Sequence, residues 1–572
     1  MKVSLSWLKE LVDHNLSPKE LAEKLSLMSI GVKQTTDDFL ELDLTYNRGD
    51  LLALRGVARE VASITNSKVI FENNETPKFD LPESPVTVEN PNLCPVYCVA
   101  KIEGLRVGNS GNEWVKRLAD CGVRSVNNIA DVTNLIMLEF GQPMHAFDAR
   151  GVKDETIIVR TARKGERITT LDGKTRDLET TDLLIADPLN ALGIAGVMGG
   201  KDSEVSDSTN TILLEAAIFD PVSIRKTAQR LGLHSEASKR FQHGLTKTNL
   251  LQALSAAIKM YEELGGKLTA ITLVGDPKDK PKTVQLTQKK INSLLGVEIP
   301  AEDVEKSLKS LGLHPKGVGT NSWEVTVPYW RLDVNIEEDL IEEVARIYGY
   351  EKIEGKPLIG DLPEKLDQTL PNFIYDLKKS LADVGLTEVQ TYSFYSTQVL
   401  NALGFNESNK ENIIRVANPI SSETEYLREF IWPNLVEIVG RNMRQGYKDI
   451  GIFEVGKIYM PQKVGLPKES YRLAIALMNG TENPVEELIS IFQYLGSNLP
   501  GCKLKLEGMI KELETIFHPT RFATVEAGGS PRFAGEAGKV IGGLTEVHPR
   551  FLNNFGIEER VAVLEIDIEN LI

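Results

Sequence analysis

The sequence predicts a multidomain α+β protein, and three observations carry that prediction. Its 572 residues exceed what one hydrophobic core organises, since domains usually hold about 100–200 residues. Helical and strand-like periodicities alternate in blocks that change character along the chain, with no repeating unit. A proline- and acid-rich stretch from Asn73 to Pro85, holding Pro77, Pro82 and Pro85, interrupts both patterns and reads as a linker. A composition of 41% hydrophobic and 26% charged residues is that of folded protein.

Residues 1–72 read as a small helical domain. Ser17 stands as a cap and Pro18 in the first turn of a helix whose Leu21, Leu25 and Met28 follow at helical spacing. A second helical pattern covers Ala53 to Ile64, and Leu42 to Tyr46 between them alternates like a short strand. Residues 86–270 read as a mixed α/β domain, with strand-like runs at Ile157–Ile168 and Leu183–Met198 and an amphipathic helix at Leu251–Leu264. Residues 275–357 read as a compact helix–strand unit: a strand at Thr283–Leu286, two helices, the second starting near Ala301, and a hairpin near Trp323. In residues 361–572, helices at Asn372–Val384, Leu435–Met443 and Val485–Leu495 alternate with strands at Thr387–Phe394, Ile450–Tyr459 and Tyr471–Met478.

Several function classes are disfavoured. A net charge of -16 does not suit a general nucleic-acid coat, so any RNA contact is expected through a local basic surface or a partner. Four cysteines (Cys94, Cys98, Cys121, Cys502) are too few for a disulfide scaffold, and the Cys94/Cys98 pair lacks the further ligands of a zinc site. No run of about 20 apolar residues spans a bilayer and the start carries no signal-like segment, so the expectation is a cytoplasmic protein without membrane attachment. P-loop, dinucleotide-binding, nucleophile-elbow and His-Glu-x-x-His patterns are missing; Gly199-Gly-Lys-Asp202 only approaches a P-loop.

Four constellations carry chemistry. In Trp330-Arg-Leu-Asp333 and the helix after it, Asp339, Glu342 and Glu343 are spaced to share a face with Asp333 in reach; clustered carboxylates suit Mg²⁺, or else form a solvated acidic face. Asp131-Val-Thr133-Asn134 precedes Gly141-Gln-Pro-Met-His145-Ala-Phe-Asp148, where His145 is either a proton-handling group or structural. Ala195-Gly-Val-Met-Gly199-Gly200, followed by Leu213-Leu-Glu215, combines glycines that admit a close ligand with a partly buried acid that requires a partner, for which a phenol hydroxyl would serve, or else is a tight turn plus an edge-strand Glu. Leu233-His-Ser235-Glu-Ala237-Ser-Lys239-Arg240-Phe241 offers cations for phosphate, or simply a capped helix start.

The order and spacing of these motifs together resemble the β subunit of bacterial phenylalanine–tRNA ligase over the whole chain. The resemblance implies a partner to a catalytic α subunit in an (αβ)₂ heterotetramer, charging tRNA(Phe) with ATP used at α. It implies that residues 86–265 match the family's editing domain, of the B3/B4 type, which hydrolyses mischarged tyrosyl-tRNA(Phe). Glu215 would accept the tyrosine hydroxyl, Ala195, Gly199, Ser235 and Ala237 would shape the pocket, and Thr133, Asn134 and His145 would lie beside the ester, with water as the nucleophile. A B5-like domain at 275–357 would contribute Asp333, Asp339, Glu342 and Glu343 to Mg²⁺ shared with α. Residues 361–572 would be a class II synthetase-like antiparallel sheet domain without catalytic motifs: Gly451-Ile-Phe-Glu-Val-Gly456 has no arginine ahead of its Glu to hold ATP. Two modules of many relatives, an OB-type tRNA-binding insertion and a C-terminal anticodon-binding domain, are not expected here. The alternatives are a non-editing scaffold that positions tRNA and a free-standing RNA-binding or regulatory protein.

Overall fold

Local sequence rules set the first elements. The computed structural model describes residues 1–71, 75–319, 321–361, 366–405, 413–480, 483–496, 502–505, 517–527 and 539–571. Met1–Pro357 and Leu358–Ile572 are two compact units.

The first unit starts with β1 (Lys2–Ser4) and α1 (Leu5–Leu11). Ser17 caps α2 (Pro18–Met28): its Oγ accepts from the Glu20 amide while the Glu20 carboxylate accepts from the Ser17 amide, satisfying two donors that a first helical turn leaves orphaned. β2 (Gly31–Thr35) and β3 (Phe39–Asp43) form a hairpin around residues 36–38. The strand lies upstream of the expected Leu42–Tyr46 because Leu40 and Leu42 are the alternating pair that reaches the core. α3 (Leu54–Thr65) follows, close to the expected helix. Of the expected linker, residues 73 and 74 lie outside the described residues, and 75–85 form no regular element.

The next stretch runs β4 (Val86–Val88), β5 (Val96–Glu103), α4 (Asn112–Asp120), α5 (Asn128–Phe140), β6 (Met144–Asp148), β7 (Ile157–Thr161), β8 (Arg167–Thr169) and β9 (Thr175–Asp177). It continues with β10 (Leu183–Ala186), β11 (Ala191–Ile194), β12 (Met198–Gly199), β13 (Ile212–Ile218), α6 (Pro221–Leu231), α7 (Glu236–Phe241), α8 (Lys247–Glu263) and β14 (Lys267–Gly275). Turns divide the two expected long strands into shorter pieces. A five-stranded sheet has the order β12-β11-β10-β7-β4 and a four-stranded sheet the order β14-β5-β13-β6. On β13, Leu213 and Ala217 pack with Val159, Leu184 and Ile194 of the five-stranded sheet. Ile212, Leu214 and Ala216 pack with Ile136 of α5 and Leu254 of α8. A strand covered on both faces explains why Ile212–Ile218 reads as an unbroken apolar run, interrupted only by Glu215.

β15 (Lys282–Thr287), α9 (Gln288–Leu295), α10 (Ala301–Ser310), β16 (His314–Gly317), β17 (Ser322–Val327) and α11 (Glu337–Tyr348) complete the unit, with sheet order β15-β17-β16. The expected strand, helix pair and hairpin are all present.

The second unit contains α12 (Thr369–Asp383), β18 (Thr387–Glu388), β19 (Phe394–Tyr395), α13 (Thr397–Ala402), β20 (Tyr426–Leu427), α14 (Trp432–Arg444), β21 (Ile450–Met460) and β22 (Lys468–Met478). It ends with α15 (Pro484–Gly496), β23 (Cys502–Lys505), β24 (Phe517–Ala527), β25 (Lys539–Val547), α16 (Pro549–Asn554) and β26 (Ala562–Asp567). Its seven-stranded sheet has the order β18-β21-β22-β26-β25-β24-β23 and is antiparallel except for β18 beside β21. On β22, Leu473, Ile475 and Leu477 join Leu381 of α12 and Leu488 of α15 on one face, while Ala474 and Ala476 join Leu435 of α14 on the other. The expected strand Thr387–Phe394 survives only as the short β18 and the start of β19. Between them, Thr391 turns its amide and hydroxyl to the buried Glu454 carboxylate, at 3.2 and 2.7 Å. Glu454, the acid of Gly451–Gly456, also pairs with Arg428 at 2.9 Å, so a guanidinium from elsewhere in the chain holds it in the framework.

Candidate functional site

Strand pairing builds the site. β13 and β6 are antiparallel neighbours in which Glu215 stands opposite His145, so the two side chains emerge side by side on one face of the sheet. That face is the one turned toward the five-stranded sheet. β6 is aimed by the turn before it: Gly141 ends α5 with φ 77°, a conformation glycine adopts without strain. The buried Gln142 amide then donates to the Ala217 and Pro143 carbonyls. From β5, Tyr97 lies opposite Ala217, two residues from Glu215 on the same face, and its hydroxyl donates to Glu215 Oε2 at 2.7 Å.

Above these groups lies a cavity of about 240 Å³. Its walls include Phe147 and Met198, the glycine-rich turn from Gly193 to Gly199, and Ser235, Ala237 and Phe241 from the α7 region. Gly199 has a steric reason: a Cβ there would sit 2.7 Å from His145 Cε1, so only glycine lets the imidazole stand where it does. The His145 ring meets Phe147 edge-on, with centroids 4.4 Å apart.

Burial dominates the electrostatics. It pushes the Glu215 carboxyl up to about 7, with the Tyr97 hydrogen bond opposing part of the rise. It pushes the His145 imidazole down to about 4. Near neutral pH the histidine is therefore uncharged and the glutamate divides between its two forms. His145 Nε2 has no hydrogen-bond partner. Ser235 is not a free nucleophile: its Oγ donates to the Val197 carbonyl at 2.7 Å and accepts from the Ser238 amide. The arrangement suits a ring-shaped apolar group carrying one polar tip that meets the acid at the cavity floor.

Six of the predicted site residues, His145, Glu215, Ala195, Gly199, Ser235 and Ala237, line this one cavity. Thr133 and Asn134 do not. They sit half-buried on α5, where the Thr133 hydroxyl donates back to the Ala130 carbonyl at 2.7 Å. Of the two readings of 233–241, the structure contains the capped helix start, with Ser235 capping α7, while Arg240 is buried, bonded to Glu236 and to the Leu52 carbonyl.

The four predicted metal ligands are not gathered. Adjacent residues on a helix diverge by about 100°, and Glu342 is exposed while Glu343 is buried. Glu343 takes Arg331 and Arg346 at 2.5 and 2.6 Å. Asp333 takes Arg331 at 2.7 Å. Asp339 accepts from the Asn335 and Ile336 amides at the start of α11. The network continues through Arg346 to Glu60 at 2.8 Å, and from Glu60 to Arg48 at 2.6 Å. Two of the four carboxylates are thus neutralised by guanidinium, a poor setting for Mg²⁺, and the donor set does not fit the ion within this chain. Among the described residues, no group of three or more His, Cys, Asp or Glu is placed to hold a metal.

Sequence reasoning missed Phe147, Met198 and Phe241 in the cavity wall and Tyr97 behind Glu215. Tyr97 lies in the apolar run of β5, and only its register against β13 reveals that it reaches Glu215.

Comparison with known proteins agrees with this layout. The B3/4 domain model matches residues 93–266, which contain the whole cavity. The tRNA synthetase B5 domain model matches 284–350, and the phenylalanyl tRNA synthetase beta chain CLM domain model matches 365–568. The phenylalanine–tRNA ligase beta subunit of Geobacter sulfurreducens is 33% identical, covering 95% of this chain and 68% of the relative. That of Moorella thermoacetica is 36% identical, covering 93% and 67%. That of Carboxydothermus hydrogenoformans is 39% identical, covering 77% and 55%. Among solved structures, an N-terminal fragment of the phenylalanyl-tRNA synthetase beta subunit from Pyrococcus horikoshii aligns over 61% of this chain and 99% of its own, at 19% identity and a TM-score of 0.35, too distant to bear on the fold. Three family domains in succession, and relatives of one kind over nearly the full chain, place it in the phenylalanine–tRNA ligase β-subunit family.

Proposed function

We propose that this chain supports a catalytic α subunit in charging tRNA(Phe) with phenylalanine, and that its own cavity hydrolyses tyrosyl-tRNA(Phe). The observation that carries the second part is the buried Glu215 at the floor of an apolar, ring-sized pocket, with Tyr97 on one of its oxygens. A tyrosyl ring entering the pocket brings its hydroxyl to this carboxyl. Phenylalanine brings nothing to bond, and leaves a buried acid without its water. The His145 imidazole, neutral and with Nε2 unpaired, holds a polar position in the wall next to Glu215. With Ser235 occupied, the attacking group is a water at the pocket mouth. Glu215 acts in binding and selection and does not act as a nucleophile. Membership of the family supports an α-subunit partner and tRNA binding, and an (αβ)₂ assembly and a cytoplasmic setting complete the proposal. Among the described residues no helix is long and apolar enough to cross a membrane. ATP belongs to α, and no step above involves Mg²⁺.

The test is deacylation of pre-charged tRNA by the complex with α. Wild type hydrolyses tyrosyl-tRNA(Phe) and spares phenylalanyl-tRNA(Phe). Glu215→Gln lowers the first rate about a hundredfold, the size of a lost bond to a buried charged group, while charging continues. Normal charging with no deacylation by wild type would leave only the scaffold role.

A further inference from the structure

The second unit holds a cavity of about 260 Å³, comparable in size to the one in the first unit. It opens between the start of α14 and the strands β24, β25 and β26. Its walls are mostly apolar, with the aromatic Tyr395, Phe430, Trp432, Phe517 and Phe522 among them. Three charged residues also line it: Glu429, Arg472 and Glu565.

The polar groups are incompletely satisfied. Glu565 is 7% exposed. Its Oε2 accepts from the Ile431 and Trp432 amides at 2.8 and 3.0 Å, which fixes the carboxylate at the start of α14. Its Oε1 is buried and has no hydrogen-bond partner, and the nearest guanidinium nitrogen, Arg472 Nη1, stands 3.7 Å away. Arg472 Nε is likewise buried and without a partner. A buried acceptor and a buried donor left unpaired in one cavity are each destabilising. A ligand with a donor and an acceptor on neighbouring atoms relieves both.

We propose that this cavity binds a small zwitterion with an apolar body, of the free α-amino acid class, its ammonium group at Glu565 and Glu429, its carboxylate at Arg472 and its side chain against the aromatic wall. The charges select the class. A simple amine leaves the Arg472 donor unpaired, and a simple carboxylic acid meets two glutamates. Burial raises both Glu429 and Glu565, the latter to about 7, and an incoming cation offsets that desolvation. The site does not depend on the editing cavity and shares no residue with it.

The test uses the full chain without α and isothermal titration with phenylalanine as the probe. Phenethylamine and 3-phenylpropionate serve as analogues lacking one charge each. Phenylalanine binds, and each analogue binds at least about tenfold more weakly, as does phenylalanine to Glu565→Gln, in keeping with one lost bond to a charged group. Val540→Trp, at an exposed position on the rim, fills the cavity and abolishes binding. Ala237→Trp, which fills the cavity of the first unit, leaves it intact. If Glu565→Gln fails to fold, the Val540→Trp result decides. Binding that is absent in wild type, unaffected by Val540→Trp, removed by Ala237→Trp, or equal for all three ligands overturns the proposal.

Discussion

Glu215 and Glu343 belong to the same unit, are the same amino acid and are almost equally buried, at 8% and 3% exposed, yet their carboxyls are shifted in opposite directions. Around Glu343, two guanidinium groups pull the carboxyl down to about 2 against the burial that would raise it. Around Glu215 there is one phenol and no cation, and the carboxyl rises to about 7. Burial alone therefore says nothing about ionisation; the neighbours decide. It also separates two uses of an acid. The first is committed to a network joining Arg48, Glu60, Arg331 and Arg346, and it ties α11 to α3. The second keeps capacity for something that enters from outside.

The largest effect expected is in the network. Glu343→Ala leaves Arg331 and Arg346 buried without their shared partner and lowers stability by about 3–5 kcal/mol, read from denaturant unfolding; a loss under 1 kcal/mol would remove the contrast with Glu215.

The next is in the pH profile, where the two residues act with opposite sign. Glu343 has a depressed value, so its contribution to stability is present above the ordinary 4.5 and lost as pH falls toward 2. Glu215 has a raised value, so the native state holds the extra proton between 4.5 and 7, and stability falls as pH rises through that window. The Glu215 decline amounts to roughly 3 kcal/mol at most. Glu565 in the second unit, also raised to about 7, declines over the same window, so Glu215→Gln reduces the slope of thermal unfolding stability against pH by the Glu215 share, and a slope left unchanged by the substitution would assign that share to another group.

Gly199→Ala pushes a methyl into the imidazole and costs about 1–3 kcal/mol through overpacking. His145 is displaced and tyrosyl-tRNA(Phe) hydrolysis falls while charging is retained; undiminished hydrolysis would show that the histidine's position is not needed. The smallest effect is that of Tyr97→Phe, which removes one hydrogen bond worth about 1 kcal/mol. Because that bond holds the Glu215 carboxyl down, the midpoint of the pH decline moves upward.

How much of this was legible in the sequence depended on how local the cause was. Ser17, Pro18 and Glu20 announce a helix start, and the structure contains the full capping box. Glu215 showed itself as the one acid inside an apolar run, and Gly199 as part of a glycine pair. The need of Glu215 for a partner, which a phenol would meet, was also legible, but the structure supplies one internally from Tyr97, 118 residues away in sequence. Long-range partners were the blind spot. Helical spacing suggested one acidic face for Asp339, Glu342 and Glu343, whereas Arg331 and Arg346, visible beside them, had already claimed the inward-facing member. The resemblance placed Thr133 and Asn134 beside the ester with His145, whereas in the structure they stand on α5 and do not line the cavity.

The pairing of Glu215 with His145 across β13 and β6 bears on how this pocket can change over time. Its acid is held on an interior strand paired on both sides, so no hinge or flap can retune it without unzipping backbone hydrogen bonds. Its upper wall is turn and short helix, built from Gly199, Ala195 and Ala237, where a single methyl alters the space available. A lineage drifting toward a different amino acid would be free to resculpt that ceiling while the acid beneath it stayed put.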